Sequence, residues 1–194
     1  KKWNIVVVED AAESLGSRYK GQYTGTFGSF GTLSFNGNKI LTTGGGGIIL
    51  ASEVSAARAK HLTTTAKIDH PYEYIHDELG YNYRMPNLNA AMGCAQLEQL
   101  DTFVSAKRKL AQLYEAALDG SDLLFFKEPD NCRSNYWLNA VICESKRHRD
   151  ALLEVTNARG VMTRPVWALM NNLKMYEQCK RGDLSNAEWL EARL

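Results

Sequence analysis

Apolar positions along the chain follow two different rhythms. Near the start, NIVVV (residues 4–8) is an unbroken, mostly β-branched run, the pattern of a strand buried on both faces of a parallel sheet. GTLSF (31–35) and GIILA (47–51) predict two more short strands. AAESLGS, directly after Glu9 and Asp10, could open a short helix. From Ser52, a plausible N-cap, SEVSAARAKHL reads as a helix. Residues 89–119 then place Leu97, Leu100, Val104, Leu110, Leu113, Tyr114 and Leu118 near helical spacing, with Gly120 behind them as a stop. That spacing predicts one long helix whose stripe is core or interface, with Cys94 on it as a small buried hydrophobe. YWLNAVIC (136–143) predicts a strand, HRDALLEVTNARG a helix ending at Gly160, and VMTRPVW a further short strand. The stretch TTTAKIDHPYEYIHDELGYNYRMPN has neither rhythm and is too long for a simple connector, which makes it a candidate functional loop. The class is therefore α/β, with residues 1–88 as one part, 89–119 as a bridge and 120–194 as a second, smaller unit.

Composition narrows the possibilities. The 194 residues are 44% hydrophobic and 23% charged, ordinary for a soluble globular chain. A net charge of +1 gives no electrostatic reason to expect nucleic acid or an anionic membrane as a partner. No apolar run approaches the roughly 18 residues of a membrane span, and no signal peptide is visible. Cys94, Cys132, Cys143 and Cys179 are scattered, as expected of reduced thiols in a cytoplasmic protein. His61, His70, His76 and His148 form no HxxxH-like cluster, so no metal site is expected. The chain opens on KKWNIVVVED and closes on WLEARL within apparent elements, which suggests a piece of a longer protein.

The candidate chemistry centres on LSFNGNKILTTGGGGIIL (33–50). Glycine-rich loops commonly cradle phosphates at a helix start. Here Gly44 to Gly47 lead into a strand and no Lys-Ser or Lys-Thr follows, so a nucleotide-triphosphate loop does not fit. A tight turn with close backbone approach does. Lys39 remains to be explained. A desolvated lysine amine forms Schiff bases readily, and pyridoxal phosphate (PLP) needs such a lysine, a carboxylate facing its ring nitrogen and donors for its phosphate. Asp10, at the carboxyl end of the first strand, stands where a parallel α/β sheet places its chemistry. Ser34 and the backbone of residues 36–38 could bind the phosphate. Against this, a loop lysine is usually solvated, Asp10 could be an N-cap, and Ser34 could satisfy local backbone.

VVEDAAES followed by GSFGTLSFNGNKILTTGGGG resembles the DegT/DnrJ/EryC1/StrS family of PLP-dependent sugar aminotransferases. The likeness continues through GYNYRMPNLNAAMGCAQLEQLD and covers essentially the whole chain. SFNGNK, AKHLTT, HPYEYIHDELGYNYRMPN, SNYWLNA and GVMTRPVW are most similar to its LegC-type branch. The resemblance implies a fold-type I, aspartate aminotransferase-like architecture. It also implies that the chain is truncated, keeping the carboxyl-side part of a three-layer α/β/α large domain (1–88), the bridging helix and an incomplete small α+β domain. It further implies that Lys39 carries PLP as a Schiff base and moves the proton, that Asp10 pairs with the ring nitrogen and that Ser34 binds the phosphate. Glu13 stands near the cofactor's 3-hydroxyl, where many relatives have glutamine. Asn82 would reach the phosphate of PLP in the neighbouring subunit of a homodimer. Arg84, Arg164 and Trp167 are candidates for the sugar-nucleotide pocket. The implied reaction moves an amino group from an amino acid such as glutamate to C4 of a nucleotide-linked 4-keto-6-deoxy-N-acetylhexosamine. Two rivals remain: a sugar dehydratase, which has histidine in place of the lysine, and a non-catalytic, self-associating fragment.

Overall fold

The structure, a computed structural model, describes residues 2–194. Its elements are β1 (Val8–Asp10), β2 (Arg18–Tyr19), β3 (Gln22–Tyr23), β4 (Phe30–Ser34), β5 (Gly47–Ala51), α1 (Glu53–Thr63), β6 (Lys67–Ile68), β7 (Ile75–His76), α2 (Asn87–Leu97), α3 (Leu100–Leu118), β8 (Leu124–Phe125), β9 (Cys132–Arg133), β10 (Val141–Ile142), α4 (Lys146–Ala158) and α5 (Ser185–Glu191). They form two compact units: residues 2–110 with 128–137, and residues 111–127 with 138–194.

In the first unit, β1 runs parallel to β4, with Asp10 opposite Thr32, and β5 returns antiparallel to β4, with Gly47 opposite Ser34. Asp10 and Ser34 therefore end on the same edge of the sheet, at the carboxyl ends of two parallel neighbours. Ala11, Phe35, Leu41, Ala66 and Val104 are buried in this unit. Ser52 caps α1, its hydroxyl accepting the Ser55 amide at 3.4 Å. The β2–β3 hairpin takes β9 as a third strand, with Arg18 opposite Arg133.

The second unit pairs β8 with β10, antiparallel, Val141 opposite Phe125. Ser145 caps α4 by accepting the His148 amide at 3.2 Å, and Gly160 follows the helix with φ of +76°. Cys143 is buried beside this pair, and burial pushes its thiol pKa up.

Several expectations need correction. The run at 4–8 is not a strand buried on both faces. The strand starts at Val8, and Ile5 to Val8 are 53–71% exposed. Among the described residues β1 is an edge strand with a single strand neighbour, β4. The expected long helix is divided at Glu98–Gln99 into α2 and α3. The Gln99 amide donates to Gln96 O three residues back rather than four, which tightens the turn and breaks the ladder. Gln96 itself is clamped to Thr42, accepting its amide at 3.2 Å and donating to its carbonyl at 2.6 Å. Cys94 is exposed, because the position before it, Gly93, takes the buried place against Thr43. AAESLGS forms turns rather than a helix. The 136–143 strand shrinks to β10. Residues 161–167 are not a strand: the Val161 amide donates to Thr156 O at 2.9 Å and the Val166 amide to Leu194 O at 3.1 Å, and no ladder forms.

Candidate active site

The loop between β4 and β5 is closed at its neck by backbone bonds. Phe35 N donates to Gly46 O and Thr43 N donates to Phe35 O, each at 3.0 Å. Buried Phe35, Leu41 and Thr43 plug its base. Gly44 and Gly46 have φ of +79° and +89°, a backbone that side-chain-bearing residues rarely adopt. A Cβ on Gly46 would also stand 2.9 Å from Met85 Cε, so glycine there admits the neighbouring segment. The glycine run is thus a turn behind the lysine, as its sequence context suggests.

Lys39 sits on this loop with its side chain only 12% exposed. Its Nζ lies 3.3 Å from Glu13 Oε1 and 4.2 Å from the centre of the Trp137 ring. Glu13, itself half exposed, comes from the turn that follows β1. Asp10 Oδ1 accepts the Ala12 amide at 3.1 Å, which orients the carboxylate at the sheet edge without starting a helix. Ser34 Oγ accepts the Asn36 amide at 3.3 Å, so the local role considered for it is also present.

The other candidates stand elsewhere. Asn82 forms an antiparallel bridge with Thr64, and Tyr83 N donates to Thr63 O at 2.9 Å, which holds this stretch against the end of α1. Asn82 and Arg84 are both exposed, and Tyr81 stacks on Tyr83 at 5.4 Å. Arg164 and Trp167 belong to the second unit and are also exposed, Trp167 by 67%. Thr163, beside them, is held by Thr156 Oγ1 at 2.5 Å and by Asn157 Nδ2, which donates to its carbonyl at 3.1 Å.

Glu9, Asn135 and Trp137, all in this unit, were not singled out from sequence. Glu9 accepts backbone amides from Gly25 at 2.8 Å, from Gly28 at 2.5 Å and from Phe27. Burial pushes its carboxyl pKa up, but the Gly28, Gly25 and Phe27 amides together outweigh that and hold it below the ordinary value. Asn135 is buried and bonded at every side-chain polar position. Its Nδ2 donates to Glu13 O and Leu15 O, each at 3.0 Å, and its Oδ1 accepts the Trp137 amide at 2.9 Å. Trp137 Nε1 donates to Asn38 O at 2.5 Å. The one available signal was SNYWLNA itself, quoted for the family resemblance without a role for Asn135 or Trp137, with residues 136–143 read as a strand.

The fold also gathers His61, Asp77 and Glu78, which sequence spacing keeps apart. His61 Nε2 lies 2.7 Å from Asp77 Oδ1 and 3.5 Å from Glu78 Oε1. The hydrogen bond from His61 holds the Asp77 carboxyl pKa below its ordinary value. Arg58 pairs with Glu78 through both guanidinium nitrogens, so the group is an ion-pair cluster joining α1 to this stretch.

Comparison with known proteins gives the family and the fold. The chain matches the DegT/DnrJ/EryC1/StrS aminotransferase family over residues 1–194. It is 38% identical over 179 residues to a GDP-perosamine synthase of Escherichia coli O157:H7, covering 92% of this chain and 49% of that protein. A GDP-perosamine synthase of Vibrio cholerae is 36% identical, with 89% and 48% covered. The chain thus spans about half the length of these curated relatives. Among solved structures, the aminotransferase TlmJ from Streptoalloteichus hindustanus superposes with a TM-score of 0.90 at 28% identity, over 99% of this chain and 52% of that one. The PLP form of a Streptococcus pneumoniae sugar aminotransferase shares the fold, with a TM-score of 0.83 at 22% identity, over 97% of this chain and 50% of that one. The architecture is that of fold-type I, PLP-dependent sugar aminotransferases, of which this chain carries part.

Proposed function

The chain belongs to the DegT/DnrJ/EryC1/StrS aminotransferase family, and on that premise we propose that it is the lysine-bearing part of a sugar-nucleotide aminotransferase. The amino group would pass from an amino acid such as glutamate to C4 of a nucleotide-linked 4-keto-6-deoxy-N-acetylhexosamine, on a route to legionaminic-acid-type surface sugars. The single observation that carries this reading is the sheltered Lys39 amine, paired with Glu13 on the loop that follows the Ser34 sheet edge.

The residues fit PLP: a sheltered primary amine, a carboxylate at a strand end and a nearby hydroxyl. When bound, the cofactor supplies an electron sink for the carbon that loses or gains the amine. Lys39 Nζ would hold the cofactor and carry the proton to and from the reacting carbon. Asp10 would keep the ring nitrogen protonated, and Ser34 Oγ would bind phosphate. Glu13 would give up its contact with Lys39 to face the ring hydroxyl. Arg84, Arg164 and Trp167 would bind the sugar nucleotide. Asn82, exposed on its bridge, would serve the second subunit of a cytoplasmic homodimer. Lys39 in place of histidine argues against the dehydratase.

A PLP titration of this chain and of Lys39→Ala tests the proposal. The expected result is a borohydride-reducible absorbance band at about 420 nm in wild type alone. Amino transfer from glutamate to UDP- and GDP-linked 4-keto sugars then reads the nucleotide. Absence of the band in both chains would favour the rival, a self-associating module without its own catalysis.

A further inference from the structure

We propose that Trp137 and Asn135 are positioning residues for Lys39, together setting the one direction in which its amine points. The inference rests on the reading of Lys39 as the reactive amine. Trp137 makes two different contacts with the lysine loop. Its ring face lies 4.2 Å from Lys39 Nζ, within cation–π range, and its indole N–H donates to the carbonyl of Asn38, the residue before the lysine. One side chain thus covers the ammonium and grips the backbone that carries it. Phenylalanine could do only the first, leucine neither.

Asn135 sets where that indole stands. Its side-chain carbonyl accepts the Trp137 amide, and its NH2 donates to the carbonyls of Glu13 and Leu15. Only a carboxamide offers an acceptor and two donors at once, and a buried one leaves costly orphans if any is lost. Glu13 is the other group touching Lys39. A single buried amide therefore bonds to the backbone of both residues that touch the amine, Glu13 and Trp137. The segment bearing it is itself anchored. Arg108 donates to Ser134 O at 2.7 Å and pairs with Glu128, while Lys107 Nζ donates to Trp137 O at 3.4 Å.

Competitive labelling of the cofactor-free chain with trace acetic anhydride, read by peptide mass spectrometry, tests this without any assay of activity. Acylation of Lys39 is expressed relative to Lys109, an exposed lysine in the same chain. Trp137→Leu is expected to raise the ratio about fivefold, the size of a sheltered cation–π contact. Trp137→Phe, which keeps a ring face but loses the indole donor, should raise it about twofold. Asn135→Asp should also raise it. A ratio unchanged in Trp137→Leu, with a wild-type circular dichroism spectrum, overturns the proposal. If that variant does not fold, an unchanged ratio in Trp137→Phe overturns it instead. Mapping the lysine fixed by PLP and borohydride keeps the two readings apart. Reduction at Lys39 supports both. Reduction at another lysine, with the ratio still moved by Trp137→Leu, overturns the assignment of Lys39 and with it a role for Trp137 in the reaction.

Discussion

Lys39 and Trp167 are both candidates for one reaction, yet their surroundings are built in opposite ways. Lys39 is 12% exposed and is held by Glu13, Trp137 and a loop whose neck is closed by backbone bonds. Trp167 is 67% exposed, on a stretch without regular structure. A group that must hold one geometry for proton transfer is surrounded by its own chain. A group offered to a substrate keeps its face open and is ordered only when that substrate arrives.

That contrast can be broken or sharpened by substitution. The largest effect is expected at Asp10, whose carboxylate faces the cofactor in the proposed function. Asp10→Asn should lower amino transfer by about a hundredfold or more, with PLP still taken up, as steady-state rates and the absorbance band would record. If the rate is unchanged, the bond to Ala12 is all that Asp10 does. Next comes the anchor beneath Trp137. Arg108→Ala strips the half-buried Glu128 of its guanidinium partner and should cost about 2 kcal/mol in chemical denaturation.

The same pair predicts a pH dependence. The hydrogen bond from Arg108 holds the Glu128 carboxyl below its ordinary 4.5, and three amides do the same for Glu9. For a depressed carboxylate, stability is fully present above the unfolded pKa and is lost as pH falls through the folded one. Wild type should therefore weaken progressively below about pH 4.5, and Arg108→Ala should show a smaller loss over that window. Gly46→Ala should cost about 1–2 kcal/mol, since it strains a left-handed backbone and strikes Met85. Trp167→Ala should change stability by less than about 0.5 kcal/mol. A raised KM for the sugar nucleotide with kcat nearly unchanged would confirm it as an open binding group. A large loss of stability there would erase the contrast with Lys39.

Sequence patterns reached the parts of the molecule governed by local rules. The strand at 47–51, the Ser52 cap, the helix stop at Gly160 and the turn role of Gly44 to Gly47 all follow from neighbours in the chain. Lys39, Asp10 and Ser34 were singled out as candidates through two motifs, VVEDAAES and GSFGTLSFNGNK. The break at Glu98–Gln99 was not, because no glycine or proline marks it and its cause includes a clamp from Gln96 to distant Thr42. Asn135 and Trp137 were missed for a similar reason. Their meaning lies in contacts with Glu13 and Asn38, which no periodicity within 134–137 encodes. Exposure at Ile5 to Val8 likewise depends on which neighbours a strand finds, and residue type cannot tell that.

The bonds of Asn135 also have a kinetic meaning. They join positions 118, 120 and 122 residues apart, and the Trp137 bond to Asn38 spans 99. Closures that long are slow and entropically dear, so they form after the local turns and helices. During synthesis the glycine turn and Lys39 leave the ribosome long before Trp137 exists to cover them. The lysine is therefore born open, and its cover waits until residue 137 has emerged.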